Sequence, residues 1–302
     1  MLEIPYIQTS VFVDPRYGFG GNQLATFWDA ESNSKLDTEM MQGMALEMNF
    51  SESTFIEQPS NPVYIAKVRI FTPARELSFA GHPTIGTAYV LKERGIVRRA
   101  AQNVILELGI GPIPVDYLDD TAIRMKQNEP EFLDIWGDKT ALVKALDVSP
   151  EDIDTRFPMQ WVSTGFPFLM VPLKTLTAVE RANPNPSEIL RVLESQISKQ
   201  IVLLCRETVN EDSDLHVRMF APEVGVVEDP ATGSAAGPLA AYTEQYDLLG
   251  RNAPGRDIVI EQGYEIKRPS RLIANVIGSQ DFTGVYVSGL TRYVAKGIFY
   301  LE

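Results

Sequence analysis

The strongest constraint in this sequence is that it repeats itself. Val68-Arg69-Ile70-Phe71-Thr72-Pro73 returns as Val217-Arg218-Met219-Phe220-Ala221-Pro222, at an offset of 149. Each copy ends an alternating, strand-like run and leads through an irregular loop to a glycine that opens a helix. These starts are Gly81-His82 and Gly233-Ser234, at an offset of 152. Both offsets bracket half of the 302 residues, which points to an ancestral duplication and two similar lobes.

Behind each start, residues 83–91 and 235–242 are apolar nearly all round, the pattern of a helix buried on every side. Short runs with β character surround them at 6–13, 64–71, 103–108, 122–125, 168–171, 216–220, 258–261 and 285–287. Strands outnumber helices, so the expected fold is α+β. It has two pseudo-symmetric lobes, each a mostly antiparallel, barrel-like sheet wrapped around a central apolar helix. Helices at 37–48 and 187–198 carry mixed faces, the second with Pro186 leading in and Ser187 as candidate cap. The polar stretch Gln127-Asn128-Glu129-Pro130-Glu131 divides lobes 1–127 and 128–302. The side on which the final strand, 293–301, lies is left open, with a return to the first lobe as one alternative.

Several functions are disfavoured by composition. A net charge of -13 with no long acidic tail argues against general attraction to nucleic acid or anionic membrane. No apolar stretch approaches the ~18 residues of a membrane span, and the N-terminus lacks a basic cap with a long apolar run, so the expectation is a cytoplasmic protein. The one cysteine, Cys205, excludes an intramolecular disulfide, a cysteine-built metal site and a two-thiol racemase. It closes the run Ile201-Val202-Leu203-Leu204 and reads as a small buried hydrophobe. Two distant histidines give no recognisable metal ligand set, and Gly18-Phe19-Gly20-Gly21 lacks the spacing and lysine of a phosphate cradle. Neither a metal nor a cofactor is expected.

The two histidines differ in context. His216 sits beside the repeated strand motif with no special neighbour and reads as structural. His82 lies in Phe79-Ala80-Gly81-His82-Pro83-Thr84, at a helix N-terminus whose N–H groups suit a carboxylate; the plainer alternative is that it only caps the helix. The second half presents Asp229-Pro230-Ala231-Thr232-Gly233-Ser234-Ala235 at the matched position. If the lobes face each other, both helix starts meet an anionic substrate in one cleft; the plainer alternative is that Asp229 and Ser234 cap their own helix. Glu52, in Asn49-Phe50-Ser51-Glu52-Ser53, would by itself be an ordinary loop carboxylate.

Together with Gly21-Asn22-Gln23-Leu24-Ala25 and Arg268-Pro269-Ser270, these stretches resemble the PhzF-like family of phenazine biosynthesis, in family order over essentially the whole chain. The resemblance implies the diaminopimelate-epimerase-like fold and a cofactor-independent isomerase acting on a small carboxylate-bearing substrate. It casts Glu52 as the acid/base that moves a proton between carbons, with His82, Asp229 and Ser234 orienting substrate or assisting transfer. It also casts Gly81 and Gly233 as backbone contacts for a substrate carboxylate, with Asn22 and Ser51 as further contacts, and it implies a homodimer. Gln23 departs from the family, which commonly has proline there; without proline's fixed φ, a looser loop around Asn22 is expected.

Two rival readings remain. A hydrolase would use His82, Asp229 and Ser234, but Ser234 lacks the G-x-S-x-G elbow and the strand-rich duplication is unlike an α/β-hydrolase. The other is a binding or interaction protein that keeps the cleft without catalysis.

Overall fold

The computed structural model describes residues 1–251, 255–278 and 284–302. The chain opens with β1 (Leu2–Val13), β2 (Asn22–Phe27), α1 (Ala30–Asn33), α2 (Thr38–Met48), β3 (Glu52–Glu57), β4 (Ala66–Phe71) and β5 (Glu76–Leu77). Next come α3 (Gly81–Glu93), β6 (Asn103–Leu108), β7 (Gly111–Tyr117), β8 (Ala122–Gln127), β9 (Glu131–Ile135), α4 (Lys139–Leu146), β10 (Gln160–Ser163) and β11 (Pro167–Pro172). It continues through α5 (Leu176–Arg181), α6 (Pro186–Val192), β12 (Ile201–Cys205), β13 (Leu215–Ala221) and β14 (Val226–Asp229). The last elements are α7 (Gly233–Gln245), β15 (Ile258–Gln262), β16 (Ser270–Ile277) and β17 (Gly284–Leu301). Two compact units result: Met1–Lys126 with Ser288–Glu302, and Gln127–Val287. The division into 1–127 and 128–302 therefore differs from the structure at its end. Residues 288–302 belong to the first unit because β17 runs antiparallel to β1 from Leu2↔Leu301 to Val13↔Leu290.

In the first unit the pairings run β1–β2, β2–β3, β3–β4, β4–β6, β6–β7 and β7–β8, of which only β2–β3 and β4–β6 are parallel. β17 pairs with both β8 and β1, so the ring closes as a barrel. α3 packs on β1, β2 and β3 and is buried from Gly81 to Ala88 and at Val90 and Leu91. Its all-round apolar sequence needs such an interior. A Cβ at Gly86 would stand 2.6 Å from Leu24 Cδ2 and 2.8 Å from Val11 Cγ2, so glycine sets how closely helix and sheet approach. Three interior hydroxyls are chained: Thr87 donates to Thr54 and Thr54 to Thr26, which offsets their desolvation cost. α2 covers another face through Met41, Met44 and Ala45, against Phe27 stacked on Phe55 at 4.6 Å.

The second unit repeats this order of pairings. β10–β11 is antiparallel, β11–β12 parallel, β12–β13 antiparallel, β13–β15 parallel and β15–β16 antiparallel. α7 matches α3 in its length of 13 residues and is buried at Gly233 and from Ala235 to Thr243. α6 ends at Val192, short of the expected 198, and Asn185 caps it rather than Ser187, accepting the Glu188 N–H at 3.2 Å. Ile189 and Leu193 anchor it in the core, and Ser198 then accepts the Gln200 N–H, turning the chain into β12.

Candidate functional site

The repeated Val-Arg-x-Phe motif builds the same device in each unit. Arg69 donates through Nε and Nη2 to the two oxygens of Glu76, both at 2.7 Å; Arg218 does the same to Glu228 at 3.0 and 2.8 Å. Each guanidinium also lies over the motif's phenylalanine, 5.1 Å from the Phe71 centroid and 5.0 Å from Phe220. Glu76 and Glu228 occupy matching places just before Gly81 and Gly233. A planar fork on a carboxylate fixes direction as well as distance, so the motif tethers the loop that delivers each central helix.

The delivered helix ends are unlike the others. α1, α2, α4, α5 and α6 are capped by the side chains of Asp29, Asp37, Asp138, Thr175 and Asn185, whereas α3 and α7 begin at Ala80 and Thr232 with no side-chain cap bond. In α7 the Ala235 N–H turns back to the Thr232 carbonyl at 3.1 Å, and the N–H groups that open such a helix suit water or an anionic ligand.

Glu52 opens β3, with its side chain 14% exposed, and its Oε2 lies 3.5 Å from His82 Nε2 in the first turn of α3. That nitrogen also lies 3.3 Å from the Gln23 carbonyl. A carbonyl only accepts, so Nε2 carries the proton and Nδ1 does not. Burial pushes the imidazolium down to a pKa of about 3, outweighing the Gln23 contact that favours it. His82 thus sets a neutral imidazole rather than a positive charge beside Glu52, with its Nε2 proton directed at the Gln23 carbonyl. Asn22 opens β2 and is fully buried opposite Val11, and Ser51 directly precedes Glu52. The looser loop expected from Gln23 does not occur: Gln23 sits in the β1–β2 ladder opposite Ser10. Its carbonyl is the one that contacts His82.

The second unit holds Asp229, Gly233 and Ser234. Asp229 ends β14, 7% exposed, and its Oδ2 accepts the Thr232 hydroxyl at 2.5 Å. Gly233 opens α7, and its carbonyl accepts from the buried Gln127 side chain at 2.8 Å. Ser234 follows in the first turn, partly exposed. Sequence reasoning passed over Thr232, although it lies inside the motif, and took Gln127 for a linker residue. It read His216 as structural but did not foresee its partners: Nδ1 and Nε2 each lie 2.8 Å from a glutamate, Glu261 and Glu265. Burial opposes charging His216, but these two hydrogen bonds overcome it and raise its pKa to about 9. Cys205 is buried, and desolvation pushes its thiol up to about 12. Among the described residues, no group of three or more His, Cys, Asp or Glu side chains could hold a metal ion, and no helix is long and apolar enough to cross a membrane.

A barrel closed around a buried helix, with a carboxylate and an imidazole at the helix start, defines a class of mixed α/β proteins. The chain belongs to the phenazine biosynthesis-like family, whose model matches residues 10–297. It is 34% identical over 288 residues to the trans-2,3-dihydro-3-hydroxyanthranilate isomerase of Pseudomonas aeruginosa, covering 93% of this chain and 94% of that one. It is 37% identical to an uncharacterised isomerase of Mesorhizobium japonicum, over 88% of each chain. A crystal structure of a PhzF-family phenazine biosynthesis protein from Bacillus anthracis superposes with a TM-score of 0.89 at 28% identity, over 100% of both chains.

Proposed function

We propose that this isomerase moves a proton between carbons of a small carboxylate-bearing substrate, with Glu52 as the acid/base and no cofactor in the step. The observation that carries the reading is the Glu52–His82 contact at the uncapped start of α3. A carboxylate can take a proton from one carbon and return it to another, provided it is held close to both. His82, neutral over the working pH range, keeps its Nε2 proton toward the Gln23 carbonyl and stands beside Glu52 without neutralising it. The first-turn N–H groups at Gly81 and Gly233 would bind the substrate carboxylate, and Asn22, Ser51, Asp229 and Ser234 would orient the same substrate. The finer architecture of two pseudo-symmetric lobes acting on one substrate belongs to this proposal. The likeness to named isomerases supports the reaction class, and the Pseudomonas relative supplies the first compound to try.

The test is deuterium incorporation from deuterium oxide, followed by NMR. The panel is a set of cyclic and acyclic carboxylates that includes trans-2,3-dihydro-3-hydroxyanthranilate. Exchange by the wild type should fall about 10²- to 10⁴-fold in Glu52→Gln, the usual contribution of a positioned acid/base. Undiminished exchange in that variant removes Glu52 from the role.

A further inference from the structure

The Asp229 loop is held by a side chain to which neither the motif nor the relatives' names assign a role. Gln262, the last residue of β15 and 2% exposed, faces this loop with both ends of its amide. Its Oε1 accepts the Thr232 backbone N–H at 3.1 Å, which fixes which end is nitrogen. Nε2 then donates to the Asp229 carbonyl at 2.6 Å and to the Thr232 hydroxyl oxygen at 2.9 Å. Having accepted there, the Thr232 hydroxyl has its own proton to give, and it gives it to Asp229 Oδ2. The donor order therefore runs one way, from Gln262 through Thr232 to the Asp229 carboxylate, entirely among side chains no more than 7% exposed.

Two further observations point the same way. Gly263 follows at φ +81°, and a Cβ there would stand 2.6 Å from the Pro230 carbonyl oxygen, so the turn after Gln262 is pressed against the same loop. The other half has no such device: the offset that matches Gly81 to Gly233 sets Ala80 against Thr232 and Leu77 against Asp229. A scaffold inherited by duplication does not need the relay, because α3 starts without it.

We propose that Thr232 and Gln262 are positioning residues that hold the Asp229 carboxylate in one orientation, as an acceptor at Oδ2, for the substrate. This rests on the reading of Asp229 as a substrate-orienting group. The relay itself is open to a measurement that needs no turnover.

In the full-length protein, Thr232→Val removes the hydroxyl at nearly constant volume, Thr232→Ser keeps it, and Gln262→Met removes the donor behind it. The Asp229 carboxyl carbon is observed by ¹³C NMR alongside turnover of trans-2,3-dihydro-3-hydroxyanthranilate. The expected result is a displaced Asp229 resonance in Thr232→Val and Gln262→Met, restored in Thr232→Ser. It comes with a kcat loss of about 10- to 100-fold, the scale of an ångström-level misplacement, at a KM within about threefold. An Asp229 resonance unchanged in a folded Thr232→Val protein overturns the proposal. A displaced resonance with unchanged turnover leaves the relay standing and sinks the role of Asp229. If the wild type does not turn over the compound, the resonance alone decides the relay.

Discussion

Set side by side, the two units share their supports and differ at the places where chemistry is read. Both have a forked Arg–Glu pair, a 13-residue central helix and the same order of strand pairings. Yet, at the offset of 152, His82 corresponds in sequence to Ser234, Ala80 to Thr232 and Leu77 to Asp229. Glu52 opens β3 where the fully buried Ile201 opens β12, so the carboxylate proposed as acid/base has an apolar counterpart. Duplication preserved what delivers a helix end and let the delivered residues diverge. One half came to hold a carboxylate against a neutral imidazole, the other a carboxylate against a hydroxyl.

The sharpest way to break this comparison is through the forks. Arg218 and Glu228 are buried at 8% and 9% side-chain exposure, and Arg218 Nη1 also donates to the Val179 and Ala182 carbonyls. Arg218→Met strands a buried carboxylate and should cost about 3–5 kcal/mol in urea unfolding. Arg69→Met, where Glu76 is 38% exposed, should cost about 1 kcal/mol or less. Equal losses would show that the forks bear the two helices alike.

The histidines give a second contrast, in opposite pH directions. The folded pKa of His216, about 9, is above its unfolded value of about 6.5, so the stability it contributes is complete below pH 6.5 and lost as pH rises through 9. That contribution is about 3 kcal/mol, and His216→Gln should flatten the alkaline limb of a stability–pH curve. His82, near 3 in the folded chain, works the other way: the unfolded state binds the proton first, and stability falls as pH drops from 6.5 toward 3. A His216→Gln curve parallel to wild type between pH 6.5 and 9 would falsify the clamp.

The smallest contrast is between the helix glycines. At Gly237 an added Cβ would overlap Gln127 Oε1 and stand 2.9 Å from Val285 Cγ1; at Gly86 it would stand 2.6 Å from Leu24 Cδ2 and 2.8 Å from Val11 Cγ2, with no hydrogen-bonded group displaced. Gly237→Ala should displace the Gln127 strut and cost about 1–3 kcal/mol, with Gly86→Ala at the lower end of that range. Thermal midpoints and the amide resonances around Gly233 would check both.

Much of the scaffold was legible because duplication writes it twice. The offset of 152 carries Gly81 to Gly233 and Glu93 to Gln245, so both central helices could be located before either was seen. His82 was named from its place at a helix start and Glu52 through the family resemblance alone, and their side chains lie 3.5 Å apart. The relay could not be read, because Gln262 reaches Thr232 only once β15 lies beside β13, a pairing of residues far apart in sequence. The same pairing sets His216 opposite Glu261, which is why an imidazole without notable sequence neighbours proved to be doubly bonded. Gln127 was misread for a simpler reason: a polar residue leading into a polar, proline-containing stretch looks solvated, and nothing local shows that its amide reaches Thr164 and Gly233.

The return of β17 has a consequence for how the protein is made. A barrel whose first strand pairs with residues 290–301 cannot close while a ribosome is still translating the middle of the message. Until then β1 and β8 each keep an edge that the finished molecule covers, in a nascent chain already long enough to have completed most of its other pairings. The half translated first is thus among the last parts to become whole, and chaperones have the longest access to the strands that flank its gap.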